Sequence, residues 1–412
     1  MSFEKTLAKL AVRVGLNLKE GQEVFLTAQA EQLPLVREIA REVYQAGGVA
    51  VIPFFGDDAL TRIRFEYASE VALRYAPEWL YRAIGERLAS GETARLAVTG
   101  EDPRLLADIP ANRLSFAMQA EAKARQAVLI PLTRFATNWT IVGYPTRGWA
   151  RAVFPDVPEE EALKKLKEAI KVATRLDAED PLAEWTRRAD ELSARAAWLT
   201  EKNFEALHFL GPGTDLTVGL AEGHVWKGGW GQAKNGLRVL PNIPTEEVFT
   251  MPHRERVFGR VRATMPFTLN GVLVKGLEVR FENGVAVEVR AEEGLEAVKT
   301  LLETDEGAKR LGEVALVPAD SGVRKAGVLF LNTLFDENAA SHIAFGQAYS
   351  ENLKDADRLS PQERKKRGMN ESLIHQDWMI GSEEIDVFGV YQDGRKVPLM
   401  TRGRWAFNVK TL

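Results

Sequence analysis

Apolar residues recur with helical spacing in the first part of the chain, and short apolar runs separate these segments. Residues 3–18 and 33–46 have the helical pattern, and the second segment ends at Gly47-Gly48. The runs "EVFLTA", "VAVIPFFG" and "ARLAVTG" are typical of buried strands. Because strands and helices alternate, this pattern predicts a small, mostly parallel sheet with helices on its faces.

The pattern then changes twice. Residues from about 104 to 200 are mainly helical, and residues 164–199 predict two long helices interrupted near Pro181. From about residue 204, short alternating strands such as "ALHFLG" and "DLTVGL" follow, with Asn283-Gly284 as a hairpin turn between two alternating runs. One helix is predicted over residues 295–311, and "GEVALV" and "GVLFLN" are predicted as further strands.

These changes predict an α/β fold of three regions. Residues 1–110 are expected to form an N-terminal α/β domain, 111–203 a mainly helical connecting region and 204–412 a larger α+β domain. A G-x-G-x-x-G loop after a strand, the usual sign of a dinucleotide site, is absent from the first region.

Composition narrows the class of protein. The chain has 412 residues, of which 45% are hydrophobic and 27% charged, as in folded globular proteins. A net charge of −4 favours neither nucleic acid nor anionic membranes, and the basic cluster at residues 364–367 is interpreted as a solvated loop. No apolar run is long enough for a membrane span or a signal peptide. The absence of cysteine excludes disulfides and thiolate sites, and fits a cytoplasmic, thermophilic protein.

Candidate chemistry lies in the second half, which contains all five histidines. We interpret His208, His224 and His253 as structural. His375 and Asp377 differ, because residues i and i+2 of an extended chain point to the same face, about 6.5 Å apart. An imidazole and a carboxylate so placed suit Zn²⁺, Co²⁺ or Mn²⁺, although His-x-Asp also occurs by chance.

Further candidates are individually weak. His342 and Tyr349 are seven residues apart, so both would lie on one face if their segment were helical. The alternative is a buried histidine and tyrosine with no ligand. Glu313 begins an apolar strand, where a carboxylate is costly unless it is paired or metal-bound. Glu246 and Glu247 precede another apolar run, and helix capping with Thr245 is the alternative there.

Taken together, these segments resemble those of the aminopeptidase T family of metallopeptidases, which includes aminopeptidase S. The resemblance covers essentially the whole chain and is strongest from about residue 204 to 405. It rests on five motifs that occur in the family's order. They are "GPGTDLTVGLAEGH", "PTEEVFT", "GEVALVP", "FDENAASHIAFGQAY" and "HQDWMIGS".

The resemblance implies a metal-binding catalytic domain over residues 204–412 with two divalent ions, Zn²⁺, Co²⁺ or Mg²⁺. It assigns Tyr349 to the active site and prefers Glu247 over Glu246 as a ligand. It also implies a homodimer that acts on peptides with a free N-terminus. Matched residue by residue, the ligands would be Glu247, Glu313, His342, His375 and Asp377.

The chemistry of these residue types agrees with that assignment. Three carboxylates and two divalent ions leave one positive charge, which suits a bridging hydroxide. Glu313 would move the proton of the activated water, or serve only as a bridging ligand, and Tyr349 would hydrogen-bond the oxyanion. The sequence therefore predicts a metal-dependent aminopeptidase of broad specificity. The alternatives are another two-metal hydrolase, an amidohydrolase or phosphoesterase, and a non-catalytic α/β ligand-binding protein; no G-x-S-x-G motif supports a serine hydrolase.

Overall fold

A computed structural model describes residues 2–269 and 271–409. The strands, in chain order, are β1 (Glu23–Gln29), β2 (Ala50–Gly56), β3 (Thr93–Thr99), β4 (Trp139–Gly143), β5 (Ala206–Gly211), β6 (Thr214–Leu220), β7 (Gly231–Gln232), β8 (Arg238–Val239), β9 (Asn242–Ile243), β10 (Val248–Thr250), β11 (Pro252–Arg262), β12 (Phe267–Leu269), β13 (Val272–Val274), β14 (Glu278–Glu282), β15 (Val285–Arg290), β16 (Leu311–Leu316), β17 (His342–Gly346), β18 (His375–Met379), β19 (Asp386–Val390), β20 (Lys396–Thr401) and β21 (Arg404–Trp405).

The α-helices are α1 (Phe3–Leu10), α2 (Leu33–Gln45), α3 (Asp58–Tyr67), α4 (Glu70–Leu73), α5 (Glu78–Ala89), α6 (Ala111–Thr133), α7 (Arg147–Val153), α8 (Glu159–Ala173), α9 (Pro181–Lys202), α10 (Leu295–Leu302), α11 (Gly322–Lys325), α12 (Thr333–Asp336) and α13 (Pro361–Lys366). Among the described residues, no helix combines the length and apolar character that a membrane crossing requires.

The chain packs into two compact units. Unit 1 comprises the residues up to Arg187 together with Trp230–Pro244, and unit 2 comprises Arg188–Gly229 together with the residues from Thr245 onward. The mixed α/β fold class expected from the sequence is confirmed. The division into regions 1–110, 111–203 and 204–412 stays a prediction about folding domains.

Unit 1 contains the predicted parallel sheet. Its strand order is β2-β1-β3-β4-β9, and every pairing is parallel. Alternate residues of β1, such as Val24 and Leu26, are fully buried, because successive side chains of a strand point to opposite faces. The predicted helix over residues 3–18 consists of α1 and a turn of π-helix over Ala11–Gly15.

Unit 2 is built from antiparallel sheets. An eight-stranded sheet has the order β15-β14-β11-β6-β5-β19-β20-β21, and a four-stranded sheet has the order β10-β16-β17-β18. Side chains of both sheets share one hydrophobic core, for example Phe209 from β5 and Ile343 from β17. The hairpin predicted at Asn283-Gly284 is confirmed, since both residues have the positive φ, 48° and 78°, that its two-residue turn requires.

Three predicted elements are wrong. "GVLFLN" is not a strand, because Leu331 has φ +56° and the Asp336 carboxylate accepts the Phe330 and Asn332 N–H groups. The helix predicted over 295–311 stops at Leu302, and Leu311 already belongs to β16. The basic cluster lies at the end of α13, whose N-terminus has a capping box formed by Ser360 and Glu363.

A candidate metal centre on the four-stranded sheet

The candidate ligands meet on one face of the sheet formed by β10, β16, β17 and β18. Antiparallel register sets Glu313 opposite Ala344, and Ala344 opposite Asp377. Since directly paired residues point to the same side, these residues share a face with His342 and His375, which lie two positions away on β17 and β18. The small side chain of Ala344 leaves room between the two carboxylates.

The opposite face of the same strands explains why this register is held. Val314, Ile343 and Trp378 are paired across the three strands, and all are fully buried in the core of unit 2. A shift of one residue would exchange the two faces and expose these apolar side chains. Burial of one face therefore fixes the polar residues on the other.

The site consists of two overlapping groups. Glu247, Glu313 and His342 form one, and Glu313, His375 and Asp377 form the other, each with ligand atoms within 4.8 Å of one another. His342 Nε2 lies 3.2 Å from Glu247 Oε2 and 3.4 Å from Glu313 Oε1. His375 Nε2 lies 3.3 Å from Asp377 Oδ1 and 3.7 Å from Glu313 Oε2. Glu313 thus directs one oxygen into each group.

Both imidazoles are oriented by the backbone. His342 Nδ1 lies 3.1 Å from the Ala340 carbonyl oxygen, and His375 Nδ1 lies 2.7 Å from that of Gln347. A neutral imidazole that donates from Nδ1 presents a lone pair on Nε2. This arrangement is the usual one for metal-binding histidines.

The residues present fit divalent ions. Glu247 Oε2 and Asp377 Oδ1 are buried atoms whose polar neighbours are the Nε2 atoms of His342 and His375, and a lone pair on Nε2 gives them no hydrogen bond. Buried carboxylate oxygens are costly to leave without a partner. Imidazole nitrogens and carboxylate oxygens are ligands that Zn²⁺ and similar ions accept, so bound ions would supply the missing partners.

The charges of the site shift its pKa values together. Burial raises the pKa of Glu313 to about 6, opposed by its hydrogen bond to His342. Burial disfavours protonation of the imidazole of His375, but the nearby Asp377 carboxylate raises its pKa to about 9. Glu247 and Glu313 likewise hold the pKa of His342 well above its ordinary value. The carboxylates therefore attract positive charge strongly into this site.

The two adjacent acids just before β10 have different partners. Glu246 is fully buried, and its carboxylate pairs with Arg188 and accepts the Gly322 N–H at 2.9 Å. Glu247 instead faces His342. Both lead into a strand, so the helix-capping alternative with Thr245 is wrong.

Tyr349 lies beside the second group, although its segment is not helical. β17 ends at Gly346, and the Tyr349 ring centroid is 4.7 Å from that of His375. Partial burial of Tyr349, which is 38% exposed, and the nearby carboxylates raise its pKa above the ordinary value, so the phenol keeps its proton. The remaining histidines lie outside both groups; His208 pairs with Asp215, and His224 contacts the Ala221 carbonyl.

One acidic residue near the site, Glu337, is not among the candidates from the sequence. Burial and the charges of Glu247 and Asp377 raise the pKa of Glu337 well above its ordinary value. Its position in "FDENAASH", five residues before His342, was the available signal. An acidic residue there has no recognisable spacing to the other ligands, because the chain bends between Glu337 and β17.

Comparisons with known proteins agree with this geometry. The family model of thermophilic metalloproteases (M29) matches residues 3–405. The chain is 56% identical to aminopeptidase T of Thermus aquaticus over 97% of both chains, and 43% identical to aminopeptidase 2 of Geobacillus stearothermophilus over 99% of both. The solved structure of wild-type AmpT from Thermus thermophilus has a TM-score of 0.93 and 53% identity, covering 98% of this chain and 99% of that one.

Proposed function

Because the chain belongs to the thermophilic metalloprotease (M29) family and resembles aminopeptidases over nearly its full length, we propose that it is a metal-dependent aminopeptidase. It would release N-terminal residues from peptides, with broad tolerance for the side chain. The observation that carries this proposal is the shared Glu313, which joins two groups of potential ligands on one face of the four-stranded sheet.

Two divalent ions would be held by the two groups. Glu247, Glu313 and His342 would hold one, and Glu313, His375 and Asp377 the other. Zn²⁺, Co²⁺ and Mg²⁺ are the candidate ions. When bound, such a pair lowers the pKa of a shared water and polarises the scissile carbonyl.

The protein residues would then move protons and stabilise charge. Glu313 is the central carboxylate, and we assign to it the transfer of a proton from water to the leaving amine. Glu337 is the second candidate for this role, since its pKa is raised and both oxygens of Glu313 already face imidazoles. Tyr349 would donate its O–H to the oxyanion of the tetrahedral intermediate.

Hydrolysis of leucine p-nitroanilide tests the function directly. The purified protein is assayed before and after chelation, and again after Zn²⁺, Co²⁺ or Mg²⁺ is added back. We expect activity to vanish with chelator and to return with metal. A folded, metal-replete protein that releases no N-terminal residue from this substrate or a peptide panel would contradict the proposal, and would favour another two-metal hydrolase or a binding role.

An exposed apolar edge strand and the absence of cysteine bear on assembly and cellular location. The edge strand β2 of unit 1 exposes Ile52, Phe54 and Phe55 by 42–50% of their surface, and exposed apolar side chains on an edge strand favour pairing with another chain. We assign this surface to the interface of a homodimer. The absence of cysteine favours a location in the reducing cytoplasm. Light scattering of Phe54→Glu, compared with the wild type, tests the first assignment; an unchanged dimer or a monomeric wild type would contradict it.

A further inference from the structure

A buried ion pair lies directly behind the metal-facing acid Glu247. Glu246 is fully buried, and its carboxylate is held by the Arg188 guanidinium of α9 and by the Gly322 N–H at the start of α11. The side chain of Arg188 is 14% exposed. Each partner belongs to a different segment of unit 2, so the carboxylate of Glu246 joins three segments at one point.

Asn338 fixes the same residue from another side. Its side chain is fully buried, and its Oδ1 accepts the Glu246 N–H at 2.6 Å. Its Nδ2 donates to the Leu334 carbonyl at 3.0 Å and lies 3.4 Å from Glu337 Oε1. Asn338 therefore connects the backbone beside Glu247 to the turn that carries Glu337.

We propose that Arg188, Glu246 and Asn338 are positioning residues for the metal centre, an inference that rests on the proposed function. Among the described residues, the polar neighbour of the Glu247 carboxylate is His342 Nε2, 3.2 Å from Oε2, and that imidazole is itself a candidate ligand. The place of Glu247 therefore depends on its backbone, and the contacts of Glu246 hold that backbone on both the side-chain and the N–H side. The same network orients the segment of Glu337.

Zn²⁺ titration of the metal-free protein tests this role without relying on catalysis. Glu246→Gln keeps the shape of the side chain and removes its charge, and Asn338→Ala removes the acceptor for the Glu246 N–H. Changes to residues that orient metal ligands typically cost about 10–100-fold in metal affinity or activity. We expect weakening of about this size in both variants by calorimetry, together with a fall in kcat larger than the change in KM.

The double variant Arg188→Gln/Glu246→Gln distinguishes the effect of losing the ion pair from a general loss of stability. Arg188→Gln alone leaves the charge of Glu246 unpaired, so it should weaken Zn²⁺ binding more than the double variant does. Arg254→Gln is the matched control. Arg254 is also a nearly buried arginine of unit 2, but it pairs with Glu306, and its loss should leave Zn²⁺ affinity unchanged.

Unchanged Zn²⁺ affinity in folded Glu246→Gln and Asn338→Ala would overturn the proposal, as would equal weakening by Arg254→Gln. If Asn338→Ala does not fold, Glu246→Gln decides alone. Failure of the proposed function has a different signature. In that case the wild-type protein binds metal but releases no N-terminal residue, and the titrations still decide whether the network positions the site.

Discussion

Acidic side chains collect beside a sheet in both units, but their partners differ. In unit 1, a cavity of about 430 Å³ lies beyond the carboxyl ends of β1, β2, β3 and β4. Arginines line it with the acids, and Arg147 pairs with Glu31 and Glu159. In unit 2, one buried oxygen each of Glu247 and Asp377 lies beside a histidine Nε2 and has no other polar partner among the described residues. The electrostatic environment, rather than the space available, distinguishes the two places.

This difference shows how a site is recognised. Ligands of open parallel sheets commonly bind outside the carboxyl ends of the strands, where the unit 1 cavity lies. Yet three arginines lie among the five acids of that cavity, whereas the acids of the four-stranded sheet are contacted by two histidines. The electrostatic environment of the unit 2 site therefore favours the binding of cations. Changes to the charged and donor groups of the two places test this difference.

Replacement of the shared carboxylate should have the largest effect. Glu313→Gln is expected to lower kcat by at least about 10³-fold and to reduce bound metal, since both groups lose the same anionic ligand. Metal analysis and leucine p-nitroanilide assays measure this. Asp58→Asn is the matched control, because burial also raises the pKa of Asp58, at the unit 1 cavity. Equal losses from the two variants would remove the distinction between the sites.

Removal of the metal should have the second-largest effect. The clustered carboxylates repel one another without ions, so chelation should lower the midpoint of thermal unfolding, and added Zn²⁺ should restore it. Binding at about 100 times Kd stabilises a folded protein by about 2.7 kcal/mol. Scanning calorimetry with and without chelator measures the shift. Glu313→Gln should show a much smaller response, and an equal response would place the bound metal elsewhere.

Loss of the Tyr349 hydroxyl should affect catalysis alone. Tyr349→Phe keeps the ring beside His375 and removes the donor, so kcat should fall by about 10²-fold while metal content stays unchanged. Steady-state kinetics and metal analysis on the same sample separate the two. Lost metal in this variant would instead make Tyr349 a ligand, and an unchanged kcat would exclude it from the reaction.

The smallest effect concerns a buried carboxyl that has backbone partners. Burial raises the pKa of Asp336 from 3.8 to about 7, although the hydrogen bonds that it accepts from backbone N–H groups lower it. Between these pH values the folded protein holds a proton that the unfolded chain has lost. The contribution of Asp336 to the free energy of unfolding therefore falls as pH rises from about 4 to about 7.

Asp336→Asn removes that dependence. From about pH 5 to about pH 8, the wild type should lose on the order of 2 kcal/mol relative to the variant. Urea unfolding in the presence of chelator measures the difference at each pH, and other groups cancel because they are common to both proteins. A difference that does not vary with pH would contradict the raised pKa.

Some elements of the fold follow from local pattern, and others do not. The parallel strands of unit 1 and the Asn283-Gly284 hairpin were predicted, because alternation and turn residues act over a few neighbours. "GVLFLN" looks like a strand, but the Asp336 carboxylate takes the N–H groups that a sheet would use. Helical spacing would place His342 and Tyr349 on one face, but the segment begins as strand β17.

The five ligand candidates and Tyr349 were named from the sequence through a family resemblance, and their roles stay a proposal. Local sequence determined the residue types, the alternation of each strand and the same-face relation of His375 and Asp377. Only the tertiary structure decided which acids meet. Glu247, Glu313, His342 and Asp377 are far apart in the chain, and cross-strand register brings them together because burial of Val314, Ile343 and Trp378 permits no other alignment. It likewise turned Glu246 toward Arg188, a partner that no local pattern indicates.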